Sequence, residues 1–185
     1  LCGSIAGVNS LEESLRPIMQ RVCGETEQNT HAAVLDDKEV VFVAVEMPRA
    51  SVSLNISIGT REPAAATALG RAIVAYMPEP ELERFLSLGD CPLYTKNSVQ
   101  TSEQLLAILS TVRNSRLAVD DEEYREDIVC YAAPVFDHSG RVVCSLGISG
   151  HRGTMKFHHT EYGEIVRTAG IEASRKLGWS PSPAG

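Results

Sequence analysis

This 185-residue sequence has no long apolar run, no paired cysteines and no excess of positive charge. The longest uninterrupted apolar stretch is Val40-Val41-Phe42-Val43-Ala44-Val45, far short of the roughly 20 residues a membrane helix needs. The cysteines (Cys2, Cys23, Cys91, Cys130 and Cys144) are odd in number and widely scattered. That is neither a disulfide framework nor a zinc ribbon, and it predicts reduced thiols in a cytoplasmic protein. With 17 Lys+Arg against 24 Asp+Glu, the net charge is −7. Such a chain does not grip nucleic acid by itself, because that binding comes largely from cations neutralising phosphates. A start at Leu1, with no basic segment leading into an apolar one, predicts no signal peptide and a domain taken from a longer protein. The enzyme signatures G-x-x-x-x-G-K-[ST], G-x-G-x-x-G and H-E-x-x-H are missing.

What is present reads as one domain over 1–185, since domains run to roughly 100–200 residues and a chain of this size buries enough surface for one core. Leu11, Leu15, Ile18, Met19 and Val22 at helical spacing predict an opening helix over 10–24, with Ser10 and Glu13 as a capping box and Gly24 as its stop. Strands are predicted over 32–35 and 40–45, joined by the turn Asp36-Asp37-Lys38-Glu39, and over 52–58, where apolar and polar residues alternate strictly. A loop over 59–66 leads to a short helix from Thr67 to about Met77, and 81–88 reads as a further turn or two of helix. Thr101 with Gln104 forms a second capping box, opening a helix to about Asn114 with Leu105, Leu106, Ile108, Leu109 and Val112 inward. Further strands are predicted over 117–119, 129–136 and 141–149, followed by a helix over 161–177 and a polar tail over 179–185. Strand runs with hairpin connections, interrupted by helices, predict an α+β fold with a mainly antiparallel sheet of about six strands.

Several residues invite a chemical reading, each beside a plainer one. His151, His158 and His159 could be drawn as a metal site, but adjacent histidines point in different directions, and a solvated segment is favoured. Cys130 or Ser149 could serve as a nucleophile. However, Cys130 sits in an apolar strand where a thiol is ordinary packing, and Ser149 lacks the glycine spacing of a nucleophile elbow. The run Asp120–Glu123 is a solvated face unless one carboxylate turns inward where it enters the next strand. On the strand ending at Ser149, alternation puts Val142, Cys144, Leu146 and Ile148 on one face. The other face carries Val143, Ser145, Gly147 and Ser149, whose small side chains either admit a close helix or leave room for a ligand. The helix start at Thr67 offers free amides to an anion. Bonds from such amides to a charged acceptor add roughly 1.5–3 kcal/mol, against about 0.3–1 kcal/mol from the helix dipole. Capping by Thr67 itself is the simpler alternative.

Three blocks in order then resemble one family. Pro63-Ala64-Ala65-Ala66-Thr67-Ala68-Leu69-Gly70-Arg71-Ala72 resembles the P-x-x-x-T-A-L-G-K-A segment of the IclR-type bacterial transcriptional regulators. Val112-Arg113, then Ala118-Val119-Asp120-Asp121-Glu122-Glu123, then Cys130-Tyr131-Ala132-Ala133-Pro134-Val135-Phe136-Asp137 resembles their signature block, and Ser145-Leu146-Gly147-Ile148-Ser149-Gly150 is similar to their closing strand. The resemblance implies the C-terminal effector-binding domain of such a regulator: a GAF-like antiparallel sheet with helices on both faces, without enzymatic activity, cofactor or metal. It implies a small-molecule effector, expected to be a carboxylic acid, and DNA contact only through a winged helix-turn-helix not contained here. It also implies a homodimer or tetramer with no membrane association. By position, the effector site falls on Leu54, Ile56, Thr67, Ala68, Leu69, Asp120, Ile128, Cys130, Gly147 and Ser149. The chain departs from the family pattern at Ala65 (usually His), Arg71 (Lys), Ser115-Arg116 (Gly-Tyr), Asp127 (Gly) and Gly147 (Ser in many relatives). The last predicts a roomier site and an effector larger or less polar than a two-carbon acid. A thiol- or serine-dependent hydrolase and a ligand-free dimerisation module stand as the competing readings.

Overall fold

Helix α1 (Ile5–Thr26) buries the predicted stripe from Leu11 to Val22; the computed structural model describes residues 5–48, 56–87 and 92–180. The helix begins before Ser10, which therefore lies inside it, where carbonyls one turn back already take the amides a cap would serve. It also runs past Gly24. It ends where Glu27 adopts a left-handed φ of 54° and donates its N–H to the Cys23 carbonyl at 2.9 Å.

Strands β1 (Asn29–Asp36) and β2 (Glu39–Glu46) form the predicted hairpin, with Asp37 at φ 57° in the turn. The predicted strand over 52–58 is different. Residues 51–55 lie outside the described residues, and 56–58 are not strand. Instead, β3 (Arg61–Pro63) pairs with β2 inside the segment expected to be a loop. As an edge strand it can carry Pro63, which has no N–H to give to a further neighbour.

Helices α2 (Ala68–Val74), α3 (Glu79–Ser87) and α4 (Ser102–Ser115) follow, and α4 opens with the predicted Thr101/Gln104 capping box. Its buried stripe is Leu105, Leu109 and Val112; Leu106, expected inward, is 41% exposed because it sits off that stripe. Strands β4 (Ala118–Asp121), β5 (Ile128–Phe136) and β6 (Val142–His151) complete the sheet, and α5 (Arg152–Phe157) and α6 (His159–Lys176) close the chain. Trp179, expected in a polar tail, stacks on Phe136 at 5.2 Å.

The fold is α+β, with one antiparallel six-stranded sheet in the order β3-β2-β1-β6-β5-β4. Helices α1, α5 and α6 pack on one face through Leu15, Met19, Met155 and Val166. Helices α2, α3 and α4 pack on the other through Ile73, Leu82 and Leu109. On β6, Cys144, Leu146 and Ile148 face α1 and α6, as alternation predicts. A register shift between Val135 and Phe136 reverses the first two positions: Val142 packs on the α2 side and Val143 on the other, because a bulge residue inverts the alternation beyond it.

Candidate functional site

The sheet face under α2 is set by two rows of cross-strand partners. Asp120 on β4, Cys130 on β5, Ser149 on β6 and Asn29 on β1 are successive partners in one row. Ala118, Ala132, Gly147 and His31 form the next. Partners across a ladder share a face, so the short side chains of β6 leave a trough on the side α2 covers.

Thr67 seats α2 over that trough. Its hydroxyl donates to the Pro63 carbonyl (3.1 Å) and accepts from the Gly70 amide (3.3 Å), so it is engaged in capping. Gly70 permits close seating, since a Cβ there would stand 2.2 Å from the Ala64 backbone. Arg71, with none of its side chain exposed, ties the helix start to β4 and the loop after it. Its guanidinium donates to the Ala65 carbonyl (2.9 Å), the Val119 carbonyl (3.1 Å) and both oxygens of Glu123 (2.9 and 2.6 Å). A fork of fixed donors suits this bidentate pairing as a lysine would not.

Between α2 and the sheet lies a hollow lined by Ile56, Thr67, Ala68, Leu69, Asp120, Ile128, Cys130, Gly147 and Ser149, together with His31, Phe42, Glu62, Tyr124, Arg125, Tyr131 and Ile148. Of the residues placed there by resemblance, all that are described line it; Leu54 lies outside the described residues. Counted with its open mouth, the hollow holds about 460 Å3 of space between atoms. Gly147 does not widen it. A Cβ there would stand 2.4 Å from the Tyr131 carbonyl oxygen and 2.9 Å from the Ala132 Cβ, so the missing side chain is replaced by β5 packed close. The expectation of a roomier site from that glycine is overturned.

The polar groups around the hollow are unusual for their burial. Asp120 is 2% exposed and is the one carboxylate of its acidic run to turn fully inward. Its Oδ1 accepts from the Glu123 and Tyr124 amides at 2.8 and 3.3 Å. Burial pushes its pKa up to about 7, against the opposing pull of those amides and of Arg71. Glu62, also raised by burial, pairs with Arg125 at 2.7 Å. His31 is 3% exposed and stays neutral, its pKa lowered to about 4 by desolvation; its Nε2 lies 2.8 Å from Ser149 Oγ. Burial raises the Cys130 thiol well above its ordinary range, the opposite of what a nucleophilic cysteine needs. The loop carrying Tyr124 and Arg125 is bracketed by Glu122 at φ 60° and Asp127 at φ 62°, so Asp127 takes the left-handed turn at the family's glycine position.

The other histidines do not assemble. His151 caps α5 by accepting from the Gly153 amide, His158 lies 3.0 Å from Glu161, and His159 lies 3.2 Å from the Tyr131 hydroxyl. Among the described residues no group of three or more His, Cys, Asp or Glu side chains could hold a metal ion, and no helix is long and apolar enough to cross a membrane. His31, Glu62 and Arg125 were not singled out from the sequence. A lone imidazole in the apolar strand β1 is a usable signal; nothing in the pattern brings Glu62 to Arg125 across α2, α3, α4 and β4.

A helix-covered antiparallel sheet with a mainly apolar hollow that carries a few buried polar groups has the architecture of a small-molecule-binding domain. The chain belongs to a known family of that class, since residues 4–175 match the family described as Bacterial transcriptional regulator IclR C-terminal. The HTH-type transcriptional regulator XynR of Escherichia coli (strain K12) is 28% identical over 179 residues, covering 95% of this chain and 70% of that protein. The crystal structure of Thermotoga maritima IclR superposes with a TM-score of 0.85 at 28% identity, covering 91% of this chain and 69% of that one. The C-terminal domain of the E. coli regulator KdgR superposes with a TM-score of 0.80 at 27% identity, covering 91% of this chain and 99% of that one. The chain spans 63% of the whole KdgR protein.

Proposed function

We propose that this chain is the effector-binding part of a cytoplasmic, homodimeric or tetrameric transcription factor, and that its effector is a compact carboxylic acid held in the hollow between α2 and β6. The observation that carries this reading is the convergence of Ile56, Thr67, Ala68, Leu69, Asp120, Ile128, Cys130, Gly147 and Ser149 on that one space. The amides of Ala68 and Leu69, two residues that line the hollow, have no acceptor among the described residues and can donate to a bound acid. Asp120, with a pKa of about 7, carries a proton on much of its population near neutral pH and can donate it to an acid's oxygen. The close packing of the hollow's base, where β5 fills the space beside Gly147, favours an acid of few heavy atoms over an aromatic one.

Sensing then works by linkage: the acid shifts DNA affinity only as far as it binds one arrangement of the full regulator better than another. DNA is read by a winged helix-turn-helix outside this chain. Catalysis is disfavoured by the chemistry of the groups available. His31 next to Ser149 is too weakly basic, and its Nδ1 has no carboxylate to orient it.

Calorimetric titration of the 185-residue chain with glyoxylate, pyruvate and benzoate tests the reading. The two small acids should bind, and thermal unfolding should shift upward by the amount their dissociation constants require. Tightest binding by benzoate, or binding by none of the three, overturns it.

A further inference from the structure

The His31–Ser149 pair has a hydrogen-bond count that does not close. The neutral imidazole has one N–H and the serine hydroxyl one O–H, so the pair holds two donors. A single 2.8 Å contact joins Nε2 to Oγ and consumes one of them. If the hydroxyl donates, Nδ1–H is left over; if Nε2–H donates, the hydroxyl proton is. His31 is 3% exposed and Ser149 4%, and Nδ1 is buried without a partner. The two carboxylates that line the hollow make no hydrogen bond to either residue: Asp120 Oδ1 accepts from the Glu123 and Tyr124 amides and Glu62 Oε1 from Arg125. A buried donor without an acceptor costs about 1–3 kcal/mol, and both residues line the hollow.

We infer that His31 is a specificity-determining residue: through Ser149 it requires the effector to present an unprotonated acceptor oxygen, a carboxylate or keto oxygen, at the β1–β6 wall. The inference rests on the acid-sensing reading above and adds the atom type that this wall accepts. A ligand offering only N–H donors there leaves the surplus proton unpaired and is rejected. His31 also holds Ser149 in place, because its ring is fixed by an edge-on contact with Phe42, with centroids 5.3 Å apart.

The test uses the 185-residue chain with glyoxylate and pyruvate as probes. His31→Phe keeps the ring and removes both nitrogens, Ser149→Ala removes only the hydroxyl, and His31→Gln restores a donor. A bond to a charged acceptor corresponds to about 10- to 100-fold in affinity. His31→Phe and Ser149→Ala should therefore each weaken the acid by about tenfold or more while unfolding near the wild-type temperature, and His31→Gln should recover part of the loss. In the wild-type protein with 15N-labelled histidine, saturating acid should shift the His31 nitrogen resonances. Wild-type affinity in Ser149→Ala and in a folded His31→Phe, or unchanged His31 resonances at saturation, overturns the role of His31 and leaves the sensor reading standing. No binding of either acid to the wild type overturns both.

Discussion

Replacing Asp120 with Asn removes a titrating carboxyl while keeping an Oδ1 that accepts from the Glu123 and Tyr124 amides. The native carboxyl titrates at about 7 against an ordinary 3.8, so the folded state holds its proton more tightly than the unfolded chain does. The stability this contributes is fully present below pH 3.8 and is lost as pH rises through about 7. At about 1.4 kcal/mol per pH unit, the loss is of order 4 kcal/mol. His31 acts in the opposite sense. Its pKa falls from 6.5 to about 4 on folding, so its contribution is present above pH 6.5 and is lost as pH falls through about 4. The two slopes oppose each other across nearly the same window, and the wild-type curve is flattened there. In Asp120→Asn the His31 slope is no longer opposed by that of Asp120. Urea unfolding followed by far-UV circular dichroism at pH 4 to 8 should find the variant close to wild type at pH 4 and more stable by several kcal/mol at pH 8. Glu62, raised by burial, is common to both proteins and drops out of the difference. A difference that does not change with pH, or a variant less stable at pH 8, refutes the reasoning.

Two further substitutions test how the site is held together. Arg71→Met leaves Glu123 and two carbonyls without their donor and should cost about 3–5 kcal/mol in urea unfolding; Arg71→Lys should recover only part, and full recovery would show that the bidentate geometry is unimportant. Gly147→Ser should destabilise by about 1–3 kcal/mol, because its Cβ meets the Tyr131 carbonyl at 2.4 Å. Wild-type stability in Gly147→Ser would show that β5 yields easily at that point.

Much of this protein is written in short-range pattern. The helical stripe from Leu11 to Val22, the Thr101/Gln104 box, the β1–β2 hairpin and the small-residue face of β6 depend on periodicity and local hydrogen bonds, which neighbouring residues determine. The inward turn of Asp120 was one of two readings its acidic run allowed, and the order of the sequence blocks singled out residues that the fold brings to one hollow. Tertiary structure alone decided the rest. Pairing made an edge strand of Arg61–Pro63, where local signals predict a loop. A bulge exchanged the faces of Val142 and Val143. The close approach of β5 filled the space Gly147 was expected to open. His31 meets Ser149 across 118 positions of sequence, and Arg125 meets Glu62 across 63. Periodicity reports which way a side chain faces. Which partner it meets, and how much water it loses, depends on chain segments that only folding brings alongside it.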